Sequence, residues 1–244
     1  MGTTMQSSFQ PLRIDKAPRY REAAYQAIKE AILAGQVTLG QALVEEQIAT
    51  ELQISRTPVR EALAILQHEQ LIAPRGGRGL YVRELTREEV VAMFVANEAV
   101  EPFLVRQAAL QATEPQLAAI RDAIEIGRQA APRGDIVSSL RSGRDFHRAV
   151  GVASGNEPLT QFVANNEERT DLYLLSYGLV MNVEGMEASN REHLAIYTAI
   201  AERDPEAAVR LSIYHSQSLR QRLAELFTRS EDLQEAQQSV AVAG

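Results

Sequence analysis

The chain has 244 residues, 45% hydrophobic and 5% aromatic, with no Cys, no Trp and a net charge of −7. This length supports two modest domains, each with its own core. The missing Cys excludes disulfides and thiolate metal sites and suits a reducing cytoplasm, while no apolar run is long enough for a membrane span and Met1–Gln10 lacks the makings of a signal peptide.

Residues 1–17 form a polar tail without periodicity. Ala23, Ala24, Ala27, Ile28, Ala31 and Ile32 then predict an amphipathic helix from Arg19 to Ala34, stopped by Gly35. Glu45–Leu52 predicts a short second helix. Ser55-Arg-Thr-Pro-Val-Arg-Glu-Ala-Leu63 predicts a third, with Ser55 as N-cap and Pro58 in the first turn, where a missing N–H costs little. Val59, Ala62, Leu63 and Leu66 share a core-facing stripe. Arg56, Thr57 and Arg60 lie on another face, the two arginines four residues apart and so side by side.

After Glu69, Leu71-Ile72 and Leu80-Tyr81-Val82 read as two short strands joined through Pro74-Arg-Gly-Gly-Arg-Gly79, with Arg75, Gly77 and Arg78 in the turn. Helix, turn, helix and basic hairpin in this order make a winged helix-turn-helix spanning residues 18–84. Its recognition helix would present Ser55, Arg56, Thr57 and Arg60 to base edges, and the hairpin arginines to phosphate or a minor groove. The net acidity does not oppose this. Residues 1–85 carry 10 Lys and Arg against 9 Asp and Glu, whereas residues 86–244 carry 15 against 23. Local charge decides contact with nucleic acid.

Thr86-Arg-Glu-Glu89 is a capping box opening a new helical region over residues 85–228. Helices are predicted over Thr86–Leu110, with a kink or stagger at Pro102, then Thr113–Ala130, Asp135–Ala153, Leu159–Leu179, Gly185–Arg203 and Asp204–Phe227. The fold class is therefore mainly α: the winged domain followed by an all-α bundle of about six helices. Residues 229–244 read as a flexible C-terminal tail.

Three of the four His lie on apolar faces of three different bundle helices. His147 lines up with Gly143, Val150 and Gly151; His193 with Ile196, Tyr197 and Ile200; His215 with Leu211, Leu219 and Arg222. Three inward imidazoles are either a metal site inside the bundle or hydrogen-bonded core residues.

The Ser55–Leu63 motif within its winged context, together with Glu101-Pro102, Asp145-Phe-His147, Ala153-Ser-Gly-Asn156, Glu192-His193 and His215, resembles the GntR family of bacterial transcription factors, FadR subfamily, with an FCD-type effector domain. The resemblance spans about residues 18–228. It implies a homodimer bound to a palindromic double-stranded DNA operator, usually as a repressor, with a small metabolite in each bundle altering DNA affinity. In many members an Asp and three His hold a divalent metal. His147, His193 and His215 match the histidines, but Gly143 stands where the Asp belongs, leaving an uncharged set that suits zinc or nickel, or a direct hydrogen-bonding role toward the effector. Asn97 stands where the family commonly has Arg. Arg169 matches a frequent Arg of the long fourth bundle helix, flanked by Asn165 and Tyr173, and is expected to hold the effector's anionic group. Together these departures suggest an effector larger or less charged than a small dicarboxylate. A rival of another class is a three-His zinc hydrolase. No base or oxyanion donor accompanies the histidines, and the winged motif would then have no purpose. A regulator with an empty bundle, acting through protein contacts alone, is the third reading.

Overall fold

The computed structural model describes residues 17–76, 79–176 and 181–242, with side chains described for 19–76, 79–176 and 181–228. The tail expected over 1–17 lies outside these residues apart from its last position, as do Gly77 and Arg78 of the hairpin. Helix α1 covers Ala17–Leu33, β1 Ala42–Leu43, α2 Glu45–Glu51, α3 Arg56–His68, β2 Ile72–Pro74 and β3 Leu80–Val82. The strands form one antiparallel sheet in the order β1-β3-β2, with Ala42 opposite Tyr81 and Ile72 opposite Val82. Strand β1 was not expected. Two residues carry no readable alternation, and only pairing with β3 makes them a strand.

The apolar stripe of α3 behaves as its spacing requires. Val59, Ala62, Leu63 and Leu66 are buried against Ala24, Ile28 and Ile32 of α1 and against Leu71, Ile72 and Val82. Each large side chain so buried contributes about 1.5–3 kcal/mol before the entropy of ordering it. Ser55 occupies the N-cap position with extended backbone, φ −72° and ψ 161°, but its side chain makes no capping hydrogen bond, contrary to expectation. The turn before it bends through Gln53 at φ 55°, a left-handed conformation that costs a side-chain-bearing residue about 1–2 kcal/mol.

The bundle comprises α4 Arg87–Gln111, α5 Glu114–Ala130, α6 Ile136–Ser154, α7 Glu157–Ser176, α8 Val183–Ala201 and α9 Pro205–Val242. The predicted capping box forms at Thr86 with Glu89, and at the start of α5 the Gln116 side chain accepts from the backbone N–H of Thr113. Asp135 and Asn182 accept the hydrogen bonds that cap α6 and α8. Helix α4 runs through Pro102 as a single element. One boundary is corrected: helical backbone continues to Val242, past the tail expected from residue 229. The stretch Glu231-Asp-Leu-Gln-Glu-Ala236 holds neither Gly nor Pro, so helix propensity persists after the apolar pattern ends. Leu104, Ile120, Phe146, Ile196 and Ile200 anchor the main bundle core. Among the described residues, no helix is long and apolar enough to cross a membrane.

Candidate functional site

At the outer surface of the winged domain, Ser55, Arg56, Thr57 and Arg60 are all exposed at or just before the start of α3. Both arginines reach one carboxylate that sequence reasoning missed. The Nε and Nη2 of Arg60 donate to Glu45, at 3.1 and 2.9 Å, and Nη2 of Arg56 lies 3.6 Å from the same group. These contacts hold the Glu45 carboxyl below the usual carboxylate range. Glu45 opens α2, 15 residues before Arg60, a separation at which no helical periodicity applies. Arg75 is exposed and donates to Glu84 over 3.4 Å. Gly76 and Gly79 flank the turn at φ 60° and 76°, the conformation for which glycine was expected there.

In the bundle, α6, α8 and α9 bring His147, His193 and His215 together. The three offer ring nitrogens all within 4.8 Å of one another. Nε2 of His193 and Nε2 of His215 are 3.3 Å apart, and the His193 ring stacks on Phe146 at a centroid distance of 4.1 Å. Two nitrogens bound at about 2.0–2.1 Å to one tetrahedral ion stand roughly 3.3–3.4 Å apart, so this spacing fits a metal. The outer nitrogens fit too. Nδ1 of His215 is 2.7 Å from Glu192, itself held by two hydrogen bonds from Arg222 at 2.8 Å. Nδ1 of His147 is 2.8 Å from Glu101. A carboxylate behind a ligating imidazole fixes its tautomer and aims the other nitrogen.

The electrostatics divide the histidines. Burial, reinforced by its two imidazole neighbours, keeps the pKa of His193 well below its ordinary value. Burial also lowers that of His215, against the pull of Glu192. Burial acts on His147 in the same sense, but Glu101 and Glu167 outweigh it and lift the pKa to about 9. Glu192 goes the other way: hydrogen bonds from Arg222 and His215 overcome burial and bring it down to about 2.

All three histidines line a partly enclosed cavity. Gly143, Glu167 and Asp171 line it as well, beside apolar Phe94, Leu174 and Met186. Burial pushes the Asp171 carboxyl up to about 7, against the ion pair it makes with Arg144. Asn97 faces a smaller adjoining cavity with His147 and His215, and its Nδ2 donates to Glu167 at 2.8 Å.

The other expected effector residues lie elsewhere. Arg169, Asn165 and Tyr173 are not among the residues lining either cavity. The charges that act on Arg169 are Arg83 and Glu89, at the junction with the winged domain. Asn165 accepts from Gln161, and Tyr173 packs edge-on against Phe227. The helical register explains this: Glu167, Thr170, Asp171 and Leu174 make the cavity face of α7, and Arg169 and Tyr173 fall beside it.

Two residues of α7 reach into the winged domain. Leu172 is buried in its core, and Glu168 lies 2.8 Å from Nζ of Lys29 on α1. Lys29, only 8% exposed, is also 3.0 Å from Glu69 at the end of α3 and donates to Tyr25 at 2.7 Å. One helix thus forms a wall of the cavity and, one residue further round, a contact with α1, whose Lys29 also holds Glu69 at the end of α3.

Comparison with known proteins accords with both halves. Residues 20–82 match the model of bacterial regulatory proteins, gntR family, and residues 92–218 match the FCD domain. The chain is 26% identical over 204 residues to the Nta operon transcriptional regulator of Aminobacter aminovorans, covering 79% of this chain and 93% of that one. It is 24% identical over 208 residues to the HTH-type transcriptional repressor RspR of Escherichia coli, covering 85% and 90%. Among solved structures, E. coli McbR/YncC shares the fold with a TM-score of 0.73 at 21% identity, covering 86% of this chain and 98% of that one. With a helix-turn-helix model at one end and an FCD model over more than half its length, the chain belongs to the GntR family of bacterial regulatory proteins and is a ligand-responsive transcriptional regulator, not an enzyme.

Proposed function

We propose that this regulator is a cytoplasmic repressor of the FadR subfamily that binds a palindromic operator as a homodimer and senses a small metabolite, an organic acid or related compound, in its bundle cavity. One observation carries the reading. Three imidazoles from three helices converge on a partly enclosed cavity, in a chain whose other domain presents two arginines at the start of its recognition helix.

Two copies of α3 in successive major grooves would read two half-sites, with Arg56 and Arg60 released from Glu45 to guanine edges. In the cavity, His147, His193 and His215 would hold a divalent ion, zinc or nickel, which when bound offers an effector oxygen a Lewis-acidic position. Glu192 and Arg222 keep His215 in the tautomer that points Nε2 inward. Phe94, Leu174 and Met186 supply the apolar wall for the effector's body. Helix α7 is the path outward: an effector that displaces Glu167 or Asp171 moves the helix that also carries Glu168 and Leu172. The response is bounded by the effector's differential affinity for the two states. RspR, named a repressor, supports the sign of regulation.

Selection of bound sequences from random duplex DNA tests this. The wild-type protein is expected to enrich a two-fold symmetric site. Arg60→Ala is expected to enrich none while keeping its helix content and thermal midpoint. Undiminished sequence-specific binding by Arg60→Ala would defeat the assignment.

A further inference from the structure

The histidine cavity has two unlike ends. Helix α6 lines it with His147 and, further back, with Ser139; α8 lines it with His193 and, one turn back, with Ser189 and Asn190. At about 1.5 Å per residue, position 139 stands roughly 12 Å along α6 from position 147. The cavity therefore runs from the imidazoles toward the N-terminal ends of both helices. Between the two ends the way is open. A Cβ built on Gly143 would meet, beyond its own helix backbone, only Cε1 of His193 within 4 Å, at 3.8 Å.

The far end is polar but uncharged. The Asn190 amide and the Ser142 hydroxyl meet over Gly127 of α5, where a Cβ would lie 2.6 Å from each, so a side chain at this position would displace them. The Asn190 amide donates to the backbone oxygen of Ile124 at 3.1 Å and accepts from the backbone N–H of Arg128 at 3.3 Å. A primary amide so held still has a second N–H to offer. Ser142 donates to the backbone oxygen of Ser139 at 2.8 Å. The Ser139 hydroxyl itself is buried and meets no hydrogen-bond partner, a cost that a hydroxyl or amide of a ligand would remove.

A free cation is missing from this cavity. No Lys or Arg is among the described residues that line it, and its carboxylates are already matched, Asp171 with Arg144 and Glu167 in the group it forms with Glu101 and His147. A second anionic group on an effector would be buried there without a counter-charge. Resting on the reading of the three histidines as a metal site, we infer that Ser139, Ser189 and Asn190 form the far subsite of the effector cavity, and that the effector is a monocarboxylate ending in an uncharged hydroxyl or amide. Its carboxylate takes the open position on the ion, its chain passes Gly143 along Leu174 and Met186, and its far end hydrogen-bonds Ser139.

The test is calorimetric titration of the zinc-loaded full-length protein with three six-carbon acids that differ only at the far end: ω-hydroxyhexanoate, hexanoate and adipate. The hydroxy acid is expected to bind roughly ten-fold more tightly than either of the others. Ser139→Ala is expected to abolish its advantage over hexanoate while leaving zinc uptake and the affinity for hexanoate unchanged. Failure of the hydroxy acid to bind, equal or tighter binding of adipate, or a preference that survives Ser139→Ala would each overturn the inference. Zinc uptake, read by competition with a chromophoric chelator, separates the two claims. Zinc bound without any preference among the acids sinks the subsite and spares the metal reading. A preference that persists in a protein unable to take up zinc does the opposite.

Discussion

The two domains hold their polar chemistry in opposite ways. In the winged domain the residues placed to act are exposed, and the core beneath them is almost wholly apolar, Lys29 being the charged exception. Arg56 and Arg60 pair with Glu45 at the surface, where an ion pair is worth little and yields easily to phosphates and base edges. In the bundle Glu101, Asp171, His193 and His215 are buried, and each is held by a named partner. A DNA-reading surface must exchange its partners on binding. A sensing cavity must keep its groups desolvated and fixed before the ligand arrives. Helix α7 belongs to both regimes, with Glu167 and Asp171 toward the cavity and Glu168 and Leu172 toward the winged domain.

The sharpest way to break this contrast is at Lys29. Lys29→Met leaves the buried Glu168 and the partly buried Glu69 without their cation, and removing one partner of a buried pair costs about 3–5 kcal/mol. Calorimetry is expected to show a lowered midpoint and two separating transitions, because the junction is lost while each core persists. A single unshifted transition would mean the junction contributes nothing. Arg60→Ala should do the reverse: operator affinity falls roughly ten- to a hundred-fold with no change in thermal midpoint, as measured by fluorescence anisotropy and circular dichroism. A large fall in the midpoint would show that the pair with Glu45 is structural.

Alkaline pH offers a finer cut. Burial and the hydrogen bond to Glu69 push the Tyr25 hydroxyl up to about 12 from 10.0, and Glu168, outweighing burial, raises Lys29 as well. Groups whose pKa rises on folding stabilise fully below their unfolded values and lose that contribution as pH climbs through the folded ones. Wild-type stability should therefore drop between pH about 10 and 12, and less steeply in Tyr25→Phe. Parallel curves would remove Tyr25 from the network. The smallest effect is expected at Gln53, where Gln53→Gly relieves a left-handed backbone and should raise stability by up to about 1 kcal/mol in chemical denaturation.

Local pattern made much of the molecule legible. The stripe Val59, Ala62, Leu63 and Leu66, the capping residues Thr86 and Thr113, and the inward faces of His147, His193 and His215 each follow from spacing within one helix. What escaped was pairing across elements. Glu45 meets Arg60 15 residues away, Glu192 meets His215 across 23, and Asn97 meets Glu167 across 70. Such partners share no periodicity, and only packing selects them. Arg169 sits on the expected helix, but the register sets it near Arg83 and Glu89, and Glu167 lines the histidine cavity.

Hydrogen–deuterium exchange of the full-length protein, with and without zinc, tests the coupling most directly. Slowed exchange is predicted around the three histidines and along α7 at Glu168–Leu172, extending to α1 near Lys29, with none of it in His193→Ala. Protection confined to α6, α8 and α9, with α7 and α1 unchanged, would contradict the claim that the cavity reports to the DNA-reading domain through α7.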